Sequence, residues 1–243
     1  MKTDPALLTM QSIAVIRSCY PQRFGIPRQS GLVTTATATV DFEATRDNEL
    51  ALRDIESFSH LWIIFLFHQQ NYPAYKPLVQ PPRLGGKKTM GVFATRSPNR
   101  INPIGLSAVQ LDRIEQNSEE IKIHILGGDF LDGTPVLDIK PYLPFADSIP
   151  EADSAWAGAV KSTMPVVWHD EALSVVAAAD QGDVGTDGLK TLIEETIALD
   201  PRPAHERNKD GRDGQTWGAR VGCVDVQWQV SGGVAMILSA LIV

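Results

Sequence analysis

The segment GVFATRSPNRINPIGLSAVQL, residues 91–111, places cationic and amide side chains in the middle of a strand-like sequence. Its ends alternate apolar and small residues, whereas its middle contains Arg96, Asn99, Arg100, Asn102 and two prolines. Proline fixes the backbone angle φ, amides donate and accept hydrogen bonds, and arginine binds carboxylates and phosphates in a bidentate manner. These residue types predict a rigid cationic loop that suits an anionic ligand.

The cationic character extends beyond this loop. Residues 57–111 contain Lys and Arg but no carboxylate, although the whole chain of 243 residues has a net charge of −7. Residues 1–111 carry 12 Lys and Arg against 7 Asp and Glu, whereas residues 112–243 carry 10 against 22. The basic stretch is either a surface for an anionic ligand or nucleic acid, or a solvated face whose countercharges come from the acidic half.

His68-Gln69-Gln70 ends the most apolar predicted strand with three polar side chains. Because rigid scaffolds present ligand-binding groups at strand ends, this exit is either a binding site or a plain polar end of the strand. His60 shares a strand face with His68, but about 27 Å of extended chain separates them, which is too far for one metal ion. We therefore expect no metal site.

Two glycine-containing sequences have the chemistry of turns. Asp132-Gly133-Thr134-Pro135 is typical of a turn, because Asp bonds to backbone amides ahead of it and Gly accepts a positive φ. Gly85-Gly86 is flanked by Arg83, Lys87 and Lys88, which indicates either a phosphate-binding tip or a solvated hairpin. Both sequences are candidates for ligand contacts.

The first 140 residues have the pattern of short strands. IKIHIL, residues 121–126, alternates isoleucine with Lys122 and His124, as a half-exposed antiparallel strand requires. Apolar spacing in residues 48–58 predicts one helix. The other predicted strands cover residues 12–18, 32–42, 60–68, 90–96 and 105–114. Repeated short strands with Gly, Pro and Asp turns favour a barrel or sandwich over a βαβ array.

A second unit follows a connection rich in Pro, Ala and acidic residues. This connection predicts a boundary between a domain of residues 1–150 and one of residues 151–243. Apolar spacing predicts a helix over residues 186–199, which Asp200-Pro201 ends. The two strands predicted after it cover residues 220–230 and 233–243, joined by Ser231-Gly232-Gly233 as a hairpin.

Common signatures of other enzyme classes are absent from the sequence. It has no GxGxxG after a strand, no Walker sequence, no GxSxG and no His/Cys cluster at metal-binding spacing. Cys19 and Cys223 lie far apart, which fits a reducing compartment. No apolar run reaches the roughly 18 residues of a membrane-spanning helix, and the N-terminus lacks a signal-peptide pattern. We expect a soluble cytoplasmic protein.

Several strings in the chain together resemble one family. They are SIAVIRS, FGIPRQSGLV, FSHLWIIFLFHQ, PPRLGGKKTMGVFATRSPNRINPIGLS, DGTPVLDIKPYLPFADS and DPRPAH, in this order from residue 12 onwards. These strings are similar to those of the tRNA N6-threonylcarbamoyladenosine methyltransferases, also called the TrmO or TsaA-like family. The longest strings are irregular in sequence, and the match covers nearly the whole chain, so the resemblance is specific.

The resemblance implies a mainly β fold, in which an antiparallel β-barrel binds S-adenosyl-L-methionine without a Rossmann fold and a small α+β C-terminal domain follows. It also implies a homodimer that methylates N6 of threonylcarbamoyladenosine at position 37 of a threonine tRNA. The cofactor-binding residues that it implies are Pro27, Arg28, Gln29, His68, Gln69, Arg96, Leu106, Asp132, Gly133, Thr134 and Pro135. The general base is not identified.

The expected tRNA contacts are Arg83, Lys87, Lys88, Arg100 and Arg202. The chain departs from the family at two places: Ile101 stands where the family usually has Pro, and His205 stands where it often has Tyr. Histidine still stacks on a base, with less area than tyrosine. Residues 200–203 are alternatively a helix stop without an RNA role. The alternative functions are an S-adenosylmethionine-binding regulatory module and a methyltransferase of another RNA or a small molecule.

Overall fold

The computed structural model describes residues 9–69, 75–158, 163–180, 188–203, 206–207 and 214–243. The strands are β1 (Ala14–Ser18), β2 (Thr37–Glu43), β3 (His60–Leu66), β4 (Leu78–Val79), β5 (Met90–Gly91), β6 (Ile104–Gln116), β7 (Glu120–Leu126), β8 (Thr134–Pro141), β9 (Val166–Trp168), β10 (Trp217–Val221), β11 (Val224–Ser231) and β12 (Val234–Ile242). The α-helices are α1 (Arg46–Ala51), α2 (Pro144–Asp147), α3 (Asp170–Ala179) and α4 (Gly188–Ala198). No helix in this described part of the chain is long and apolar enough to cross a membrane.

Six strands form a closed barrel in the order β1-β2-β7-β6-β3-β8, and every neighbouring pair is antiparallel. In β7, Ile121, Ile123 and Ile125 are buried in the barrel core, while Lys122 and His124 lie on the other face. Closure places one side-chain face of each strand in the interior, which explains the alternation in the sequence. The prediction of a mainly β protein with an antiparallel barrel is confirmed.

Some predicted elements of this half differ from the structure. The predicted strand of residues 90–96 contains only the two-residue β5, because a 3₁₀ turn at Val92–Ala94 follows it and the N–H of Thr95 bonds to the Val92 carbonyl at 3.1 Å. Residues 32–36 precede β2 and are not part of it. The sequence pattern does not predict β8, since prolines at both ends and two charged residues interrupt its apolar spacing.

The predicted helix of residues 48–58 is not continuous. α1 ends before Leu52, and a short 3₁₀ turn follows Asp54, whose φ is +66°. Leu52, Ile55 and Phe58 nevertheless pack against the barrel core. The apolar spacing therefore predicts which side chains of this segment contact the core, but it does not predict that the helix ends at Ala51.

Four of the remaining strands form a second sheet in the order β10-β11-β12-β9, in which β9 is parallel to β12, and β4 pairs with β5 in a separate two-stranded sheet. The predicted hairpin between β11 and β12 is confirmed: Gly232 and Gly233 form a two-residue loop and both have positive φ. The predicted strand of residues 220–230 is two strands, because the chain reverses at Gly222 and Cys223 between β10 and β11. The positive φ of Gly222 permits this reversal.

The core of the second sheet includes residues from the first half of the chain. Tyr20, Val33 and Ala36 lie between β1 and β2, yet they are buried in one apolar cluster with Ile193 of α4 and Trp228 of β11. The connection from β1 to β2 is therefore part of the second core. The domain boundary at residue 150 stays a prediction.

Polar contacts fix the same connection to α4. The Tyr20 hydroxyl lies 3.1 Å from Oγ1 of Thr196. The Glu195 carboxylate accepts hydrogen bonds from the hydroxyls of Thr34 and Thr35, each at 3.0 Å, and from the Thr35 N–H at 3.1 Å. These contacts attach both ends of the segment that contains residues 23–29 to α4.

Candidate active site

One end of the barrel carries an open pocket of about 440 Å³. It lies where β3 and β7 end and where β6 and β8 begin, and residues 23–29 and 95–100 contribute to its rim. The N–H of Phe67 donates to the carbonyl of Pro103 at 2.8 Å, so the pairing of β3 with β6 continues beyond Leu66. This extension directs His68 towards the pocket.

The pocket collects most of the predicted cofactor-binding residues from separate segments of the chain. Those that line it are Pro27, Arg28, Gln29, His68, Gln69, Arg96, Leu106 and Thr134. They come from the β1–β2 connection, the end of β3, the cationic loop, β6 and the first residue of β8. The structure thus brings these residues together, and cofactor binding by them stays a prediction.

The other predicted cofactor residues, Asp132, Gly133 and Pro135, are not among the lining residues. Asp132 accepts a hydrogen bond from the Ser18 N–H at 3.0 Å and lies 3.8 Å from the Arg17 guanidinium. Gly133 adopts a φ of +78° in the predicted turn, and Pro135 pairs with β1. These three residues shape the turn behind the pocket wall.

The cationic loop contacts the β1–β2 connection across the pocket. The Arg96 guanidinium donates to Oε1 of Gln29, and the Gln29 side-chain amide donates to the carbonyl of Arg28. The Arg23 guanidinium donates to the carbonyl of Gln69 at 3.1 Å. Hydrogen bonds therefore link both sides of the rim and orient Arg96 towards the pocket.

Arg100 binds the backbone of its own loop. Its Nη1 donates to the carbonyl of Thr95 at 2.8 Å, and the carbonyls of Val92 and Ser97 lie 3.4 Å from the same atom. Its guanidinium also stands 5.6 Å from the centre of the exposed Phe93 ring. Arg100 thus stabilises the irregular loop, which gives this arginine a structural role. A tRNA contact by Arg100 stays a prediction.

Arg28 occupies an electropositive part of the pocket. The pKa of Arg28 is lowered to about 10, mainly by burial and also by the neighbouring Arg207 and Arg83, while Asp200 partly opposes this shift. The guanidinium remains protonated at neutral pH, but burial and like charges disfavour its cation. An anionic group bound at Arg28 relieves this repulsion, so the position suits a carboxylate or phosphate.

The end of α4 lies close to this position. The helix ends at Ala198, and Asp200 follows with a φ of +53°, which confirms the predicted helix stop. The Arg202 guanidinium makes two hydrogen bonds to the Asp200 carboxylate, at 2.7 and 2.9 Å, and Arg207 lies 3.5 Å from the same carboxylate. The predicted RNA contact Arg202 is therefore held by Asp200, while the start of the predicted helix at residue 186 lies outside the described residues.

The predicted glycine tip projects beside the pocket. Gly85 and Gly86 have positive φ, and Lys87 and Lys88 are exposed. Arg83 lies within electrostatic reach of Arg28, although none of these cations lines the pocket. Two further residues of interest in the sequence, Gln70 and His205, lie outside the described residues.

The environment of His68 favours its neutral form. Burial lowers its pKa, although the attraction of Asp132 partly opposes this effect. Its Nδ1 lies 3.4 Å from Oγ1 of Thr134, and that hydroxyl donates to the carbonyl of Leu131 at 2.7 Å. A neutral imidazole has one donor and one acceptor nitrogen, so His68 provides directed hydrogen bonds without adding a charge.

The pocket also contains residues that the sequence analysis does not predict. Ser107 and Asp129 line its interior, and the Ser107 hydroxyl donates to Oδ1 of Asp129 at 2.6 Å. Trp62, Phe65 and Phe67 provide aromatic walls. The alternation along β6 places Ser107 on the interior face, but nothing in the sequence pairs it with Asp129. Among the described residues, no group of three or more His, Cys, Asp or Glu side chains is placed to hold a metal ion.

Gly105→Ala is expected to destabilise the fold by about 1–3 kcal/mol, the usual range for overpacking a core. A Cβ at Gly105 would lie 2.2–2.6 Å from the ring of Phe65. That ring packs edge-to-face against Phe67 and Phe130, with centroids 5.0 Å apart in both pairs, and has little room to move. Denaturant unfolding measures the effect. Gly91→Ala is the control, because its Cβ meets no atom within 4 Å, and equal stability of the two variants would contradict the prediction.

Comparisons with known proteins agree with this arrangement. Residues 15–148 match the tRNA-methyltransferase O N-terminal domain, and residues 161–241 match the TrmO C-terminal domain. The tRNA (adenine(37)-N6)-methyltransferase of Escherichia coli K12 is 40% identical over 222 residues, which cover 91% of this chain and 92% of that protein. A putative S-adenosylmethionine-dependent methyltransferase of Pseudomonas aeruginosa, RcsF, is 40% identical over 90% of this chain and 91% of its own length. The crystal structure of TrmO from P. aeruginosa superposes with a TM-score of 0.80 and 32% identity, covering both chains completely. The chain therefore belongs to the TrmO family of tRNA methyltransferases.

Proposed function

We propose that this protein transfers a methyl group from S-adenosyl-L-methionine to N6 of threonylcarbamoyladenosine at position 37 of threonine tRNA. As a member of the TrmO family it is an S-adenosylmethionine-dependent tRNA methyltransferase. The threonylcarbamoyl group and the threonine tRNA rest on the motif resemblance described above. The observation that carries the proposal is the cationic, aromatic-walled pocket that these motifs form at one end of the barrel.

The chemistry of the lining fits the methyl donor, which has a carboxylate, an ammonium group and a sulfonium group. Arg28 and Arg96 supply cations for the carboxylate. Trp62, Phe65 and Phe67 are aromatic residues of the lining, and aromatic rings attract cations. The pocket volume of about 440 Å³ lies within the range of roughly 300–1,000 Å³ that is typical of small-molecule sites. We infer that Arg28 and Arg96 hold the carboxylate.

When bound, the donor supplies a methyl group that is already electrophilic. The residues of the protein then have to orient the donor relative to the accepting adenosine and to keep water out of the pocket. Apolar side chains such as Ile104 and Leu131 line the pocket and reduce its water content. The accepting nitrogen lies between a purine ring and a carbamoyl carbonyl, so its proton is more acidic than that of an ordinary exocyclic amine, and a modest base suffices.

We propose that the tRNA backbone binds the cationic surface beside the pocket. Lys87 and Lys88 are exposed there, and Arg83 lies near Arg28. Arg202 is already paired with Asp200, so phosphate has to compete for it with a carboxylate. We therefore expect the glycine tip to contribute more to tRNA affinity than Arg202 does.

The double substitution Lys87→Ala, Lys88→Ala is expected to raise the KM for tRNA and to leave the affinity for S-adenosylmethionine unchanged. Each phosphate contact contributes about 0.9 to the slope of log affinity against log salt, so the slope should fall by up to about two. Filter binding at several salt concentrations measures it, with Lys122→Ala, Lys140→Ala on the barrel wall as the control. A loss of cofactor affinity would instead assign the tip to the donor pocket.

The test of the reaction uses methyl-labelled S-adenosylmethionine and purified protein. Three substrates are compared: total tRNA with the threonylcarbamoyl modification, total tRNA without it, and threonine tRNA with it. Digestion to nucleosides should place the label on N6-methylated threonylcarbamoyladenosine. Label in unmodified tRNA would indicate another acceptor, and label in no tRNA would favour a small-molecule substrate or a regulatory binding function.

We also propose a cytoplasmic homodimer, as the resemblance implies. Three large apolar side chains near the pocket, Leu78, Phe93 and Ile101, are more than half exposed and would suit burial against a second subunit. Sedimentation equilibrium of the wild type and of Phe93→Ser tests this assembly. A wild-type monomer at micromolar concentration would contradict it.

A further inference from the structure

Ser107 and Asp129 form a polar pair inside the pocket, and no binding role described above uses it. Ser107 is 3% exposed, and its hydroxyl lies 2.6 Å from Oδ1 of Asp129. Both residues line the pocket, where Asp129 is the one carboxylic acid among the described lining residues. The other charged or titratable side chains that line it are Arg23, Arg28, His68, Arg96 and Arg100.

We propose that Ser107 and Asp129 accept the proton that leaves the acceptor nitrogen during methyl transfer. The Ser107 Oγ accepts the N–H proton and passes its own hydroxyl proton to Asp129. This inference rests on the proposed function, in which the acceptor is an exocyclic N–H of a modified adenosine. It identifies the base that the sequence does not reveal.

The step balances in atoms and charge. The N6 electron pair forms the new N–C bond, the electron pair of the broken S–C bond stays on sulfur, and the N–H proton ends on the Asp129 carboxylate through Ser107. A sulfonium cation and a carboxylate anion thus become a neutral thioether and a neutral acid. Because ions are poorly solvated in a partly buried pocket, the loss of both charges favours the reaction there.

The environment of Asp129 shifts its pKa in the direction that suits a general base. Burial raises the pKa of Asp129, while the hydrogen bond from Ser107, backbone hydrogen bonds from Asp129 itself and from Ser30, and the attraction of Arg96 lower it by smaller amounts. General bases are most efficient when their pKa is close to the working pH. Burial therefore increases the proton affinity of the carboxylate, while the 2.6 Å hydrogen bond from Ser107 stabilises its anionic form.

The hydrogen-bond geometry supports a relay through Ser107. A serine hydroxyl has one proton and two lone pairs, and the proton is already directed to Asp129. Its lone pairs are therefore free to accept a proton from a ligand N–H in the pocket. Asn at position 129 preserves the shape and the acceptor oxygen of aspartate but does not take up the proton.

Single-turnover methylation by the full chain tests the pair. Asp129→Asn is expected to reduce the rate at neutral pH by about 100-fold or more, within the range for loss of a general base. Calorimetry should show an affinity for S-adenosylmethionine within about threefold of the wild type, because the lost interaction belongs to the chemical step. The rise of the wild-type rate with pH should disappear in the variant. Asp138→Asn, a surface residue of β8 paired with Lys140, is the matched control.

Two further measurements keep the inference testable if Asp129→Asn does not fold. Ser107→Ala should slow the reaction by about tenfold or more but retain the rise with pH, since Asp129 remains. Infrared titration of the wild-type protein without tRNA should detect a carboxylic acid that titrates above the ordinary range of aspartate and is absent from Asp129→Asn or, failing that, shifts in Ser107→Ala.

Three results would overturn the inference. The first is a rate for Asp129→Asn within about tenfold of the wild type. The second is a loss of affinity that is larger for the cationic donor than for the neutral S-adenosylhomocysteine, since the pair would then bind the cation. The third is an Asp129 carboxyl that titrates in the ordinary range. If the wild type methylates no tRNA, the proposed function fails. The infrared titration still tests whether the Asp129 carboxyl titrates above the ordinary range of aspartate.

Discussion

Arg96→Ala should weaken S-adenosylmethionine binding by roughly 10- to 150-fold, which corresponds to the 1.5–3 kcal/mol of a hydrogen bond to a charged group. Arg96 lines the pocket and is oriented by Gln29 across the rim. Its guanidinium is one of two cations that we assign to the donor carboxylate. Isothermal titration calorimetry in the absence of RNA measures this contribution directly.

Two other variants make the Arg96 test specific. Arg96→Lys keeps the charge but loses the planar fork, so its affinity should lie between those of the wild type and Arg96→Ala. Arg46→Ala removes an exposed cation of α1 that pairs with Glu49, and should bind the donor normally. Unchanged affinity in Arg96→Ala would mean that the donor carboxylate binds elsewhere.

Asp200→Asn is expected to destabilise the protein by up to about 3 kcal/mol, the lower end of the range for removing one partner of a buried ion pair, because this cluster is only partly buried. The Asp200 carboxylate is 21% exposed, and its partners Arg202 and Arg207 are 14% and 21% exposed. Asparagine tolerates the left-handed backbone conformation at this position, so the substitution changes the charge and leaves the turn in place. Urea unfolding measures the loss.

The chain offers a matched control for this substitution. Asp225 forms a bidentate pair with Arg220, at 2.8 and 2.9 Å, but both side chains are more than 40% exposed. Solvent and salt screen such a pair, so Asp225→Asn should leave the urea midpoint nearly unchanged. Similar midpoints for the two variants would show that burial does not strengthen the Asp200 cluster.

Sequence patterns predict those parts of the fold in which local preference and tertiary environment agree. β7 has a clean alternation and a single buried face, and Gly232-Gly233 has the turn chemistry of a two-residue hairpin. The strand predicted at residues 90–96 is wrong because a side chain of the following loop, Arg100, binds the carbonyls of Val92 and Thr95 and stabilises a turn there. Strand propensity does not include such a contact.

The candidate site is only partly predictable for a similar reason. His68 and Arg96 stand out in the sequence, because each places a polar or cationic group at the end of an apolar segment. Ser107 and Asp129 do not stand out, since the hydrogen bond between them joins β6 to the connection that follows β7 and depends on the register of this strand pair, in which Gln110 lies opposite Leu126. Pairings of this kind depend on strand register, which composition and spacing do not specify.

The shared core of the second sheet has a consequence for dissection of this enzyme. Phe24 and Ile26 pack into that core a few residues before Arg28 enters the pocket. A fragment that contains only the N-terminal barrel would leave this stretch without its apolar support and would lose donor affinity. An exchange of C-terminal halves among relatives would need to carry residues 19–36 along, since apolar side chains of this stretch belong to the core of the C-terminal sheet.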